Sequence, residues 1–364
     1  MGKRGRKPKN SKPIDKETEC TEEEVPKVVK KRGRRSKKQP TISEIVKTEI
    51  LTGKDGEDLD LDMEKLQNEI ATIKFSEEFT EDISSDEESD DDIENQQYLL
   101  ELKTLQTTSF KSLIEALKEI LVEGNIECTS SGMRIIANNQ KKGILVFLQL
   151  YAKRFEYYKC NKKKLHMGVS MLNFYKLVKS LNNNSTLTLF IDKTDLNQLG
   201  IVIENNERKT TTTYYMRLLD IDVLGFEFGG KSKFSAVVCM SAAMFQKICR
   251  DMYNLGDTIS IMVHKKTLTL SCNNDENNEI ASQETVIAES PEYMRFLVSS
   301  NDVIEGKYKL KDIIAFTKCT NISGGGAMKI YFDNVLPMVI EYDVGSFGNM
   351  KLCITPESQE EEEA

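Results

Sequence analysis

The chain has 364 residues with 50 basic and 58 acidic side chains, a formal net charge of −8 and 39% hydrophobic residues, which predicts two or three domains including a part too polar to pack. Apolar runs stop at about five residues, as at 144–148, far below the roughly 18 of a membrane span, and Lys3, Arg4 and Arg6 lead into more charge rather than into a secretory leader. Eight cysteines without a CxxC and only two histidines argue against a disulfide framework, a metal site or histidine-based catalysis, so no cofactor and no enzymatic activity are expected.

In chain order, residues 1–40 carry a net +9, residues 41–98 a net −16, residues 99–356 a net +4, and the last eight residues add five glutamates. Block charge with few aromatics cannot bury enough apolar surface to offset ordering entropy. Residues 1–98 are therefore expected to be mostly disordered, with a short helix around 59–73. Two basic runs stand in the arm, 3–9 and 31–38. The first resembles an AT-hook. In that motif Gly5 lets an extended backbone enter a narrow minor groove while Arg4 and Arg6 reach its negative floor. Arg32, Gly33 and Arg34 repeat the core without the proline. Both runs fit a nuclear-localisation signal or general polyanion affinity as well. The acidic run 84–92 reads as a solvated spacer, a phosphorylation site or a partner tail.

From residue 109 a rhythm sets in. Helix-like segments at 109–121, 170–182, 241–255 and 309–320 start 61, 71 and 68 residues apart, three of them on a serine able to act as N-cap. Between them lie strand-like runs at 143–151, 186–191, 200–203, 234–240, 258–263, 267–272, 328–332, 338–342 and 351–354. No unit shows the short loops of a doubly wound fold. Four helices among many antiparallel strands predict an α+β architecture built from a quasi-repeated unit. At about 100° per residue, each helix puts a basic pair on the arc its apolar residues leave open: Lys111 and Lys118, Lys176 and Lys179, Lys247 and Arg250, Lys311 and Lys318. Amphipathic helices usually have charged outer faces, but the same sign on all four suits phosphate-backbone contact without base reading. Glu115, Glu119, Asp251 and Asp312 sit beside these stripes. The run 225–232 fits GxxxxGK[ST] literally, but a strand rather than a helix is expected after it, which removes the helix N-terminus a phosphate loop needs.

Several stretches then carry a family resemblance: Leu113-Ile-Glu-Ala-Leu-Lys-Glu-Ile120, Phe155-Glu-Tyr-Tyr-Lys-Cys-Asn161 with Leu165-His-Met-Gly-Val169, and Tyr215-Met-Arg-Leu-Leu-Asp-Ile-Asp222. Phe245-Gln-Lys-Ile-Cys-Arg-Asp-Met252 before Gly256-Asp257, and Pro337-Met-Val-Ile-Glu-Tyr342, complete the set. Residues 109–356 resemble a DNA sliding clamp of the proliferating cell nuclear antigen (PCNA) type. The resemblance implies a clamp domain at 99–219, an interdomain connector at 220–234, a second clamp domain at 235–356 and an acidic tail at 357–364. It also implies a head-to-tail homotrimeric ring with sheets outside and the four helices lining the hole. The eight cations would then face double-stranded DNA, independent of sequence. The clamp would tether a DNA polymerase, be placed by a clamp loader and bind other proteins through short PCNA-interacting motifs.

Trimer closure in the family pairs edge strands, here 209–217 and about 277–283, with Thr213, Tyr214, Ile280 and Ser282 at the contact. Its partner pocket lies under the connector. Leu224 and Phe226 match the connector positions and Pro337 and Ile354 the pocket floor, while Asn138 replaces a usual Met and Cys353 a frequent Tyr. Lys265 aligns near a lysine that accepts ubiquitin in the family. An Asn-, Lys- and Ile-rich composition hints at an A·T-rich genome such as that of a large DNA virus, which sets the expected location as the nucleus or a cytoplasmic virus factory. A specialised or monomeric viral relative, acting as a DNA-binding scaffold in repair or transcription, is the alternative reading.

Overall fold

In the computed structural model, residues 72–74, 97–139, 143–222, 231–273, 282–322 and 326–357 are described. The disorder expected for 1–98 falls almost wholly outside them. The exceptions are Thr72–Lys74, a strand rather than the end of the helix expected at 59–73, and residues 97 and 98, where Tyr98 opens a strand.

The four helices form where the spacing of apolar residues predicts them, with shifted ends. Helix α1 (Thr107–Ile120) buries Phe110, Leu113, Ile114 and Leu117 on one stripe, the i, i+3, i+4, i+7 pattern of a surface helix. Helix α2 (Met171–Val178) buries Met171, Phe174 and Val178. Helix α3 (Ala242–Tyr253) buries Phe245, Ile248, Cys249 and Met252. Helix α4 (Leu310–Thr317) buries Ile313 and Phe316 and tightens into a 3-10 turn at Lys318–Asn321. Serine capping is realised once. The Ser241 hydroxyl accepts the Met244 amide, whereas Ser170 makes no such bond and Ser109 lies inside α1, whose N-cap is Gln106.

The strands, in chain order, are β1 (Thr72–Lys74), β2 (Tyr98–Thr104), β3 (Glu123–Thr129), β4 (Gly132–Asn138), β5 (Ile144–Tyr151), β6 (Tyr157–Cys160), β7 (Leu165–Ser170), β8 (Ser185–Asp192), β9 (Gln198–Asn205) and β10 (Thr210–Arg217). Then follow β11 (Lys231–Lys233), β12 (Ala236–Ser241), β13 (Thr258–His264), β14 (Thr267–Asn273), β15 (Ser282–Ala288), β16 (Met294–Val298), β17 (Ile304–Lys309), β18 (Ala327–Phe332), β19 (Met338–Val344) and β20 (Gly348–Ile354). From β2 to β10 the succession is one strand, a helix, five strands, a helix and three strands. From β12 to β20 it is the same. The quasi-repeat is thus real, and its unit is a pair of helices rather than a single one.

Each repeat makes two antiparallel ladders. In the first they are β10-β9-β8-β2-β6 and β5-β4-β3-β7. In the second they are β20-β19-β18-β12-β16 and β15-β14-β13-β17. One joint fuses two of the four: β20 pairs with β5 over its full length, from Gly348 opposite Leu150 to Ile354 opposite Ile144, giving a nine-stranded sheet. Gly348 permits this approach, since a Cβ there would lie 2.0 Å from the Gln149 carbonyl oxygen, closer than any side chain tolerates. On the helix side of this sheet, Val238, Ile330, Ile340, Leu352, Val146 and Ala137 face one another in register and belong to a main core that runs through both repeats.

Candidate nucleic-acid and partner surfaces

All four helices share one layer. Helix α1 packs on α2, α3 packs on α4, and α1 also meets α4 and its 3-10 turn. With the apolar stripes turned into the core, the opposite arcs carry the cations. Lys176, Lys179, Lys247, Arg250, Lys311 and Lys318 are exposed, and Lys111 and Lys118 are half-buried. Lys318 stands on the 3-10 turn and not on the helix expected to hold it.

Lys111 donates to the Leu181 carbonyl and Lys176 to the Asn173 side chain, both at 3.4 Å, and two more of the eight are ion-paired. The Glu119 carboxylate accepts from both Lys118 and Lys318 and so ties α1 to the second repeat. Hydrogen bonds from these two lysines hold the Glu119 carboxyl below its usual range, and the bond to Glu119 raises Lys118. The Lys118 ammonium also lies 4.6 Å from the centre of the Tyr175 ring. By contrast Lys179, Lys247, Arg250 and Lys311 have no charged or hydrogen-bonding partner among the described residues. The sequence argument treated eight cations as equivalent. Glu119, which lies beside the first stripe in the sequence, becomes a shared partner of two lysines only when the two repeats meet.

The other face of the nine-stranded sheet carries a second, smaller apolar cluster. A row runs across seven strands in register: Val298, Val237, Tyr331, Val339, Cys353, Leu145 and Asn138. Val237, Tyr331, Val339 and Cys353 are buried there with Phe234, and Leu145 and Val298 pack at the margin. The Phe234 and Tyr331 rings meet edge to face at 5.5 Å, and the Tyr331 hydroxyl donates to Glu341 at 2.6 Å. Burial raises the Cys353 thiol to about 12, so it acts as an apolar group and not as a nucleophile.

Of the residues expected to build the partner pocket, Asn138 and Cys353 lie on this row. Ile354 does not. It is one residue along β20 from Cys353, points to the opposite face and belongs to the main core, whereas Cys353 belongs to the outer cluster. Pro337 is half-buried beside the row, next to Leu336, which packs against it. Leu224 and Phe226 lie outside the described residues. The connector is described as far as 222 and is fixed at its start: the Leu219 amide donates to the Gly168 carbonyl at 2.8 Å, and the Asn125 side chain donates to the Ile221 carbonyl at 3.2 Å. Phe234, Val237, Tyr331 and Val339 went unnoticed in the sequence because strands covered on both faces read as unbroken apolar runs, with no alternation to show which residues face out.

Of the two segments expected at subunit contacts, 209–217 is almost wholly β10, a sheet edge, whereas of 277–283 only residues 282 and 283 are described, and they open β15, also an edge. In β10, Thr210 to Thr213 are exposed, Tyr214 is half-buried, and Tyr215 is 65% exposed. In β15, Ser282 opens an edge where Val286 is 58% exposed. Ile280 lies outside the described residues, as do Arg4, Gly5, Arg6, Arg32, Gly33 and Arg34. Most of the GxxxxGK[ST] run does too. Its last two residues begin β11, and a strand, β12, follows. Lys265 occupies an exposed hairpin tip between β13 and β14 with φ of 53°. None of the seven described cysteines is disulfide-bonded, and among the described residues no cluster of metal-ligating side chains occurs.

Comparisons with known proteins agree with this geometry. The sequence profile of the proliferating cell nuclear antigen N-terminal domain matches residues 99–225, and that of its C-terminal domain matches residues 230–357. A probable DNA polymerase sliding clamp 1 from Paramecium bursaria Chlorella virus 1 is 34% identical over 261 residues, 71% of this chain and 97% of that relative. The crystal structure of proliferating cellular nuclear antigen from Entamoeba histolytica superposes with a TM-score of 0.64 at 21% identity, covering 72% of this chain and all of that one; at that identity the likeness speaks for the fold. With both domains matched in order and a relative this similar along nearly its whole length, the chain belongs to the proliferating cell nuclear antigen family.

Proposed function

We propose that this chain is a DNA polymerase sliding clamp that closes as a homotrimer around duplex DNA. The observation that carries this reading is a joint made once and left unmade once. Within the chain the last strand of the second repeat, β20, pairs with the third strand after the first helix, β5. The equivalent pair is β10 and β15. Both are exposed edges, and within one chain they do not meet. Exposed edges are normally blunted or covered. Pairing β10 of one copy with β15 of the next repeats the internal joint between chains. Such a contact is heterologous and closes when its rotation divides a full turn.

In that ring the helical layer faces inward. Lys179, Lys247, Arg250 and Lys311 offer mobile, unpaired cations to phosphates on a path with no base-reading groups, which favours sliding over sequence recognition. Retention comes from closure, and the clamp's benefit to a tethered polymerase is a raised local concentration at the primer end. The outer row on the nine-stranded sheet is the surface for polymerase, clamp loader and other proteins bearing short motifs.

Sedimentation mass tests closure. Three chains of 41.4 kDa give about 124 kDa. Thr213→Asp with Tyr214→Asp puts two carboxylates on the β10 edge and is expected to leave a species of 41.4 kDa. A wild-type mass of one chain would defeat the ring. Retention on DNA tests topology: protein on a nicked circular duplex is expected to run off when the circle is cut once, whereas a groove binder stays.

A further inference from the structure

The outer row is not empty. Strand β1 lies 157 residues before β11 in the sequence, yet the two pair antiparallel, with Thr72 opposite Lys233, Ile73 opposite Ser232 and Lys74 opposite Lys231. They form a two-stranded sheet separate from the others. Ile73 is 2% exposed and sits in the outer cluster with Phe234, Val237, Tyr331, Val339 and Cys353. A three-residue strand cannot bury its own side chain. The row supplies that burial, and β11 supplies the backbone pairing. This is strand addition: main-chain hydrogen bonds hold the segment, and one side chain in a pocket selects it.

We infer that β1 is a built-in plug of the partner surface: the chain's own extension occupies the outer row and competes with any external peptide for it. The inference rests on the reading of that row as a partner site. Three observations favour the chain's own segment as the occupant. It is seated there. Only 22 residues separate Lys74 from Gln97, where the described residues resume, and a connection that short keeps a segment at millimolar effective concentration. Those 22 residues carry eleven carboxylates and no basic group, while β11 reads Lys231-Ser232-Lys233, so the connecting sequence and the strand that β1 pairs with are opposite in charge. A partner then has to outcompete a segment that never diffuses away. Partners with two points of contact, or present at high local concentration, are favoured over a lone weak motif.

The test uses full-length protein and a fluorescein-labelled peptide spanning residues 66–80 of this chain, read by fluorescence anisotropy. Ile73→Asp in the protein removes the plug and is expected to tighten peptide binding at least tenfold over wild type. Tyr331→Ala added to Ile73→Asp is expected to abolish that gain, and a peptide carrying the same Ile73→Asp change is expected to bind neither protein. Equal affinity of wild type and Ile73→Asp overturns the plug, as does the absence of peptide binding to both. Retained binding in the double variant overturns the row as its site. Ile73 lies outside the main core, so the melting temperature of Ile73→Asp is expected to stay near that of wild type; hydrogen exchange at the Ser232 amide, faster in the variant and slow in wild type, reads the same opening without a peptide. A failed ring would show in the sedimentation mass and leave these affinities unchanged.

Discussion

The helical layer and the outer row are two faces of the same repeats, and they solve opposite problems. On the helical side most apolar residues are consumed by the core, Leu172 and Tyr253 being exposed exceptions, and what remains is mainly charge on long side chains such as Lys179, Lys247 and Lys311. On the outer side the strands have a second set of buried apolar residues, Val237, Tyr331, Val339 and Cys353, in a cluster separate from the main core. The first surface can hold a ligand only by many weak, screened contacts. The second can hold one only by fitting it. On the clamp reading proposed above, one face of each kind would let the chain stay on DNA without stopping anywhere and still distinguish its partners.

The sharpest way to break this contrast uses neighbours on one strand. Ile340 and Val339 are both buried in β19, but Ile340 belongs to the main core and Val339 to the outer row. Ile340→Ala is expected to cost about 2–5 kcal/mol, the range for an aliphatic cavity in a core. Val339→Ala is expected to cost less than half as much and to show its effect in peptide affinity instead. Denaturant unfolding of the two variants decides it. Equal losses would mean that the outer row is ordinary core and that the two faces do not differ in kind.

A smaller effect is expected on the charged side. Lys247→Glu with Arg250→Glu reverses two unpaired cations on α3 without touching its buried stripe of Phe245, Ile248, Cys249 and Met252. Stability is expected to stay within about 0.5 kcal/mol. Affinity for duplex DNA is expected to fall at least tenfold at moderate salt, with the slope of log K against log salt reduced by about 2 per chain. Loss of affinity with an unchanged slope would show that these residues do not meet phosphates.

Much of this division was legible in the sequence, and the parts that were not have physical reasons. Helical periodicity located all four helices because a surface helix shows its buried stripe directly in its spacing. It could not separate Lys318 from the helix before it, since a 3-10 turn continues the same apolar rhythm for three or four residues. The strands of the nine-stranded sheet were readable as strands but not as faces: Cys353 and Ile354 are both buried, and only the register across β19, β20 and β5 assigns them to opposite sides. Ile73 was beyond reach for a different cause. It sits in a strongly charged stretch whose composition argues against order, and the burial that overrides composition comes from residues more than 150 positions away. Nothing in the sequence marks Gly348, whose missing Cβ lets two repeats touch.

The smallest expected effect concerns the one place where the charged face is locked. Glu119 holds Lys118 and Lys318 together across the repeats, and its side chain is 31% exposed, so solvent screening limits the contribution of the pair to stability to about 1 kcal/mol or less. Because the carboxyl is held below its usual range in the folded chain, its contribution is present above the unfolded value of about 4.3 and is lost as pH falls through the lowered folded value. Wild type is therefore expected to lose stability more steeply than Glu119→Gln in that acid window, and the two curves are expected to run parallel above it. At neutral pH the same substitution releases two lysines toward solvent on the helical face. It is expected to strengthen DNA binding two- to threefold and to steepen its salt dependence, the reverse of the change at Lys247 and Arg250. If Glu119→Gln weakened DNA binding instead, Glu119 would be positioning the two lysines for phosphate and not withholding them, and the locked pair would belong with the sliding surface.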